Sequence, residues 1–205
     1  MHTNSQREHM KDKVILVDCD GVLFDWEYAF TNWMKRHDYE VDPDFYSDYQ
    51  IGKRYNLNGK DAKRLIRMFN ESAWIRKLPP LRDAIHYVKK LHSEHGYIFH
   101  AITSLSNDVY SQHLRTKNLI EMFGPSVFEK YIYLDTGADK DAVLERYKDT
   151  GCWWCEDKPA NAVAGTVVGL NSILIDHPHN QDFDETNLNI TRVKNWQTIY
   201  DLVTR

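Results

Sequence analysis

The stretch VILVDCDGVLF (residues 14–24) carries the first information about the fold. Val14 to Val17 is a short apolar run rich in β-branched residues, and it stops at the carboxylates Asp18 and Asp20. This pattern is typical of a buried parallel strand, because both faces of such a strand are covered and polar residues begin where it ends. Gly21 would permit a tight turn after the strand. The sequence therefore predicts a buried first strand that brings two carboxylates to one edge of a sheet.

Strand-like and helix-like segments alternate along the rest of the chain. Apolar runs predict strands at 97–102, 131–134, 152–155 and 172–175, with a brief further segment at 190–193. Amphipathic patterns predict helices at 83–95, 107–122, 140–148 and 196–203, with a short helix near Ala160. This alternation indicates an α/β protein with a doubly wound, mostly parallel sheet.

The interval between the first two strands is too long for a simple crossover. Asp18 and Thr103, which end these strands, are 85 positions apart, whereas a βαβ unit needs roughly 30 residues. Residues 26–79 carry helical patterns and turn-rich stretches without clean strand alternation. We therefore expect a core domain formed by 14–25 and 80–205, with 26–79 inserted as a small, mostly helical cap. Residues 1–13 are expected to be a flexible tail.

Composition excludes several classes of protein. The 205 residues carry a formal net charge of −4, so the chain lacks the basic surface of a protein that binds nucleic-acid polymers. No apolar stretch has the length of a signal peptide core or a membrane span, which favours a cytoplasmic protein with no membrane partner. Three cysteines, an odd number, argue against a secreted disulfide framework.

Polar side chains follow the first four predicted strands of the core. The first strand ends at Asp18 and Asp20, and the others are followed by Thr103 and Ser104, by Lys140, and by Glu156 and Asp157. Ligands of open α/β sheets bind beyond the carboxyl ends of the strands. Carboxylates suit Mg²⁺, while a lysine and hydroxyl groups suit a phosphoryl group. The sequence therefore predicts a magnesium site with an adjacent phosphate site.

The segment CWWC (152–155) offers a competing interpretation as a redox or zinc pair. A strand advances about 3.3 Å per residue, so cysteines three positions apart would lie about 10 Å apart on opposite faces, whereas a disulfide needs less than about 7 Å. We therefore interpret Cys152 and Cys155 as buried packing residues and assign the chemistry to Glu156 and Asp157.

The order of these motifs resembles the haloacid dehalogenase (HAD) superfamily, whose Rossmann-like core bears a DxDG motif, a later Thr or Ser, a lysine and an acidic pair. Within it, the chain resembles the 5'(3')-deoxyribonucleotidases. This resemblance rests on DCDGVLFDWE (18–27), LPPL (78–81), Thr103-Ser104 and HNQ (179–181), and it covers most of residues 14–203.

The resemblance implies specific roles. Asp18 would be the nucleophile and Asp20 the acid/base, and both would bind Mg²⁺ together with Asp157, Asp20 through its backbone carbonyl. The remaining implied residues are Thr103, Ser104 and Lys140 for phosphate, Trp26 for stacking on a nucleobase, and Phe69, Trp74 and Lys158 as further substrate-binding residues. Lys158 stands where related enzymes often have arginine, and Glu156-Asp157 replaces the commoner Asp-Asp.

The activity implied is Mg²⁺-dependent hydrolysis of a nucleoside monophosphate, a small phosphorylated partner, through an aspartyl-phosphate intermediate. A homodimer is implied by relatives. Two alternatives remain at this stage: a phosphatase for another small phosphoester or a nucleic-acid 3'-phosphate, and a metal-binding module without turnover. The presence of a second aspartate, Asp20, argues against the latter, because a pure binder needs no group that handles protons.

Overall fold

The computed structural model describes residues 13–205, so the predicted tail at 1–13 falls almost wholly outside the described residues. Six strands form one sheet: β1 (Val14–Val17), β2 (Ile98–Ser104), β3 (Phe128–Leu134), β4 (Trp153–Glu156), β5 (Asn171–Ile175) and β6 (Ile190–Val193). The α-helices are α1 (Trp26–Arg36), α2 (Ile51–Arg54), α3 (Gly59–Asn70), α4 (Ala84–His95), α5 (Val109–Phe123), α6 (Asp141–Leu144), α7 (Pro159–Val167) and α8 (Trp196–Val203). Within 13–205, no helix is both long and apolar enough to cross a membrane.

The sheet is parallel throughout, and its strand order is β3-β2-β1-β4-β5-β6. From β1 at the centre, the chain moves outward through β2 and β3 and returns to the other side of β1 for β4. Val17 pairs with Ala101 of β2 and with Cys155 of β4, so β1 and β4 end at a similar height, while β2 continues to Ser104. A reversal of this kind opens a crevice at the carboxyl ends of β1 and β4. The doubly wound α/β fold predicted from the sequence is confirmed.

Both faces of β1 are covered. Ile15 and Val17 belong to a large hydrophobic cluster on one side of the sheet, while Val14 and Leu16 belong to a second cluster on the other side. Successive side chains of a strand point to opposite faces, which explains the division. Burial on both faces is why β1 has no polar residue before Asp18.

Several boundaries differ from the sequence prediction. The helix predicted at 140–148 is shorter, since α6 ends at Leu144 and a 3-10 turn, Glu145–Tyr147, follows. The segment at 190–193 is a full strand that pairs with β5. Cys152 and Cys155 pack into the two different clusters on opposite faces of the sheet, as the strand geometry predicts.

Between β1 and α4 the chain forms helices. Besides α1, α2 and α3 it contains two 3-10 turns, Pro43–Phe45 and Ala73–Lys77. Aromatic rings join α1 to α3: the ring of Phe30 lies 5.3 Å from that of Phe69, and the ring of Trp33 lies 5.7 Å from it. The division into a core and a cap at 26–79 stays a prediction, because helical content alone does not define a domain.

Candidate active site

Asp18 lies at the end of β1, in the crevice between β1 and β4. Its backbone N–H donates to the carbonyl of Cys155 at 3.0 Å, which continues the ladder one residue past the strand. Its Oδ1 accepts a hydrogen bond of 2.7 Å from the N–H of Cys19. Its Oδ2 lies 2.7 Å from the ammonium group of Lys140. The sheet and the lysine thus fix both carboxylate oxygens of Asp18.

Glu156, the last residue of β4, is fully buried and holds the neighbouring groups in place. Its Oε1 lies 2.8 Å from Lys140 Nζ and also accepts from the side chain of Asn161. Its Oε2 accepts from the N–H groups of Asp157 at 2.6 Å and Lys158 at 3.1 Å. Burial alone would raise the pKa of Glu156, but Lys140 and these hydrogen bonds lower it below its ordinary value. Glu156 therefore acts as a fixed anion beneath the site.

Asp157 faces Asp18 across the crevice. His179 Nε2 lies 3.3 Å from its Oδ2, and the side chain of Asn180 donates to its backbone carbonyl at 2.8 Å. His177 Nε2 forms a hydrogen bond of 2.7 Å with the carbonyl of Gly21, in the turn after β1. The loop after β5 therefore braces both acidic segments.

The donor set fits a hard divalent cation. Asp18, Glu156 and Asp157 each offer a carboxylate oxygen, and these atoms all lie within 4.8 Å of one another. Burial, reinforced by the neighbouring carboxylates, raises the pKa of Asp18 to about 8 and that of Asp157 to about 7. A cation that takes oxygen ligands would stabilise the ionised form of such crowded carboxylates. Asp18 and Asp157 are best placed to hold it, because both line the cavity above the site, whereas Glu156 is fully buried and does not.

Asp20 stands apart from this carboxylate group. Its Oδ1 lies 2.7 Å from Nη1 of Arg115, a residue of α5 that is completely buried. Arg115 was not predicted from the sequence, although a signal was present: it occupies the buried stripe of α5 with Ser111, Leu114 and Asn118. A charge on the buried face of an amphipathic helix needs a partner inside the protein.

Thr103 and Ser104 end β2 beside the site but differ in their hydrogen bonding. The hydroxyl of Thr103 is buried and has no hydrogen-bond partner among the described residues. The hydroxyl of Ser104 donates to the carbonyl of Ala138 at 2.7 Å. A group bound next to Asp18 would thus find Thr103 ready to form a hydrogen bond, whereas Ser104 would have to exchange its partner.

A cavity of about 960 Å³ opens above these residues, and helices of the 26–79 segment form its other wall. Asp25 caps α1 by accepting from the N–H of Tyr28 at 3.0 Å, so the helix starts at Trp26, beside the site. The indole N–H of Trp26 donates to Asn70 at 3.0 Å, and its ring stacks on Phe30 at 4.6 Å. The cavity is therefore lined by an aromatic residue held in one orientation.

Among the predicted substrate-binding residues, Trp26 and Lys158 line this cavity, but Phe69 and Trp74 do not. Phe69 is fully buried because it packs between the rings of α1. Trp74 packs against the hydrophobic core and under the guanidinium of Arg36, which lies 5.4 Å from its ring. Both positions were inferred from aromatic character alone, and packing accounts for both. Tyr49, whose ring lies 5.2 Å from that of His179, lines the cavity and was missed.

Solved structures of similar shape show the class of fold. A haloacid dehalogenase-like hydrolase of Streptococcus pneumoniae superposes with a TM-score of 0.63 at 14% identity, covering 94% of this chain and 99% of that one. The HAD-hydrolase YfnB of Bacillus subtilis, solved bound to magnesium, gives 0.58 at 13% identity, with coverage of 94% and 99%. These likenesses show that the chain has a HAD-like α/β fold, with Asp18 and Asp157 at the carboxyl ends of β1 and β4.

The family follows from sequence. Residues 12–205 match the family described as "5' nucleotidase, deoxy (Pyrimidine), cytosolic type C protein", and the chain belongs to this family. A Bordetella bronchiseptica protein named "Putative 5'(3')-deoxyribonucleotidase" is 27% identical over 196 residues, which cover 91% of this chain and 94% of that protein. An uncharacterized 32.4 kDa protein of phage T4 is 25% identical over 143 residues; the match spans 66% of this chain and about half, 49%, of the phage protein.

Proposed function

We propose that this protein is a Mg²⁺-dependent phosphomonoesterase that dephosphorylates (deoxy)nucleoside monophosphates through an aspartyl-phosphate on Asp18. The observation that carries the proposal is the position of Asp18, which faces Lys140 and Asp157 at the floor of a cavity walled by Trp26. The family description and the name of the Bordetella relative support a deoxynucleotide as the substrate.

In the first step, a carboxylate oxygen of Asp18 attacks phosphorus and forms the acyl-phosphate bond. The ester P–O bond breaks, and the departing oxygen takes a proton from Asp20. Lys140 and the hydroxyl of Thr103 offset the charge on the transferring phosphoryl group. Lys140 is suited to this role because it keeps its positive charge. Burial disfavours the charged form, but the carboxyl groups of Asp18 and Glu156 outweigh burial and raise the pKa of the ammonium group above its ordinary value.

In the second step, a water molecule attacks the phosphorus of the acyl phosphate and gives its proton to Asp20. The bond to Asp18 breaks, inorganic phosphate leaves, and the carboxylate and the protonated Asp20 are restored. Asp18, Asp157 and the backbone carbonyl of Asp20 would hold Mg²⁺, which supplies positive charge to the phosphoryl oxygens when bound.

The cavity has room for a whole nucleotide. Trp26 would stack on the nucleobase, with Lys158 at the rim near the phosphate. Ser104 would bind phosphate after releasing the carbonyl of Ala138. We place the enzyme in the cytoplasm, which the family description of a cytosolic protein supports, and expect a homodimer from the resemblance.

Phosphate release from a panel of substrates tests the proposal. We expect turnover of deoxynucleoside monophosphates with Mg²⁺ and none with a chelator. Asp18→Asn should lower the rate by at least about 10⁴-fold, because the nucleophile is lost. Asp201→Asn, on the exposed face of α8, is the matched control and should keep full activity.

Other outcomes would assign a different substrate or a different function to the protein. Turnover of sugar phosphates alone, or of oligonucleotide 3'-phosphates alone, would replace the nucleotide with another phosphoester while keeping the chemistry. Mg²⁺ binding without turnover of any ester would refute the enzyme and favour a metal-binding module.

A further inference from the structure

Arg115 is a charged residue that is buried outside the carboxylate group. It is 0% exposed in the middle of α5. None of its three guanidinium nitrogens has a hydrogen bond of good geometry among the described residues. The ring of Phe24 lies 5.5 Å from the guanidinium and covers one side of it. Removing a guanidinium from water is costly, and a fold retains such a group only with a counter-charge.

The counter-charge is Asp20. Nη1 of Arg115 lies 2.7 Å from Asp20 Oδ1. Two further groups that act electrostatically on Arg115, the thiol of Cys19 and the hydroxyl of Tyr133, carry no charge at neutral pH. Asp20 is thus the anion toward which this buried cation is directed.

The contact with Arg115 involves one of the two carboxylate oxygens of Asp20. Its Oδ1 is buried against the guanidinium. The side chain as a whole is 23% exposed, so its accessible surface belongs to its other atoms, and the residue lines the cavity. One oxygen is therefore held from below while the rest of the carboxyl group faces the space that a substrate would occupy.

We propose that Arg115 is a positioning residue that fixes the orientation of the Asp20 carboxyl group for proton exchange with the leaving oxygen and the attacking water. This inference rests on the proposed function, since it assigns Asp20 the acid/base role. Arg115 does not line the cavity and is fully buried, so it acts through Asp20 and not on the substrate. The bonds made and broken are those of the two steps above; Arg115 exchanges no proton.

The test compares two esters in a double-mutant cycle. Values of kcat/KM are measured for two substrates. One is the phosphoester of the panel that the enzyme hydrolyses best among those with an alkyl leaving group, such as a nucleoside monophosphate. The other is p-nitrophenyl phosphate, whose phenolate leaves without a proton. The proteins are the wild type, Arg115→Met, Asp20→Asn and the double variant. We expect Arg115→Met to lower kcat/KM by about 10²-fold for the alkyl ester and by less than about 10-fold for the aryl ester. The double variant should lie within about threefold of Asp20→Asn, because Arg115 acts through that residue.

Two further variants separate positioning from packing. Tyr133→Phe removes a hydroxyl near Arg115 that is bound to Thr116 at 2.7 Å, and it should leave both rates within about twofold of the wild type. Arg115→Lys keeps the charge and should recover part of the alkyl-ester rate. Thermal unfolding of every variant shows whether it is folded.

Several results would overturn the inference. One is an equal loss of kcat/KM on the two esters in folded Arg115→Met. Another is a double variant whose loss of kcat/KM equals the product of the losses in Arg115→Met and Asp20→Asn. If neither Arg115 variant folds, Arg115 is needed for folding and the positioning role is overturned. A wild-type protein inactive on every ester would overturn the proposed function and this inference together, whereas an active wild type with multiplying effects would overturn the inference alone.

Discussion

Gly21, in the turn after β1, shows how one residue shapes the site. Its φ is +72°, a left-handed conformation that residues with a Cβ rarely adopt. A Cβ atom at this position would also collide with the carboxylate of Asp157. The absence of a side chain at Gly21 therefore lets the acidic segments after β1 and β4 approach each other.

We predict that Gly21→Ala weakens binding of Mg²⁺ by about tenfold or more, because the new methyl group displaces Asp157. Gly96→Ala is the matched control: Gly96 has φ +70°, but a Cβ there meets nothing within 4 Å. Both variants should lose about 1–2 kcal/mol of unfolding free energy from backbone strain. Calorimetric titration with Mg²⁺ measures the difference, and equal affinities in the two variants would contradict the collision.

At the scale of elements, α7 lies unusually close to the sheet. Pro159 occupies the first turn of this helix. Lys158, which precedes it, and Asn161, in the same turn, both line the cavity of the site. Gly165 faces the sheet, and a Cβ there would collide with the ring of Trp154 and lie 2.7 Å from Ser172 Oγ. The glycine thus sets the distance between α7 and strands β4 and β5.

Gly165→Ala should lower the free energy of unfolding by about 1–3 kcal/mol, because a methyl group does not fit between the helix and the sheet. Gly59→Ala, at the start of α3 with nothing within 4 Å of its Cβ, should leave stability unchanged or raise it by up to about 1 kcal/mol. Urea unfolding measures both values. A Gly165 variant as stable as the Gly59 variant would mean that α7 moves freely away from the sheet.

At the scale of the whole molecule, the buried carboxylates couple folding to pH. In the chain without a cation, burial raises the pKa of Asp18 to about 8 and that of Asp157 to about 7, from the ordinary value of 3.8. The unfolded chain releases these protons near pH 4, while the folded chain keeps them to higher pH. Their contribution to stability is therefore complete below about pH 4 and is lost as the pH rises toward 8.

We predict that the chelated protein loses stability between about pH 5 and pH 8, and that Mg²⁺ restores it at the upper end, because the cation binds the ionised carboxylates of the folded state. In Asp157→Asn the pH-dependent loss should be smaller and the effect of Mg²⁺ weaker. The melting temperature, measured with and without Mg²⁺ across this range, checks both. A melting temperature that rises with pH in the chelated wild type but not in the variant would contradict the prediction.

The sequence by itself determined the class of fold and the chemical groups of the site. The apolar run 14–17, ending at Asp18, predicted a buried parallel strand, because the alternate side chains of a short strand are buried on both faces only inside a parallel sheet. The alternation of strands and helices then placed Lys140, Glu156 and Asp157 at the same edge as Asp18. The fold prediction is confirmed and these side chains lie together, because both depend on local periodicity and on one rule of sheet topology, while their chemical roles stay predictions.

The tertiary structure alone decided which residues contact one another. Arg115 lies 95 positions from Asp20, and no local pattern names a partner at that separation, although its place on a buried helix face showed that one was needed. Aromatic character likewise did not separate Trp26, which lines the cavity, from Phe69, which packs behind it. Burial and pairing between distant segments depend on how α1, α3 and α5 pack, and packing is a property of the assembled chain.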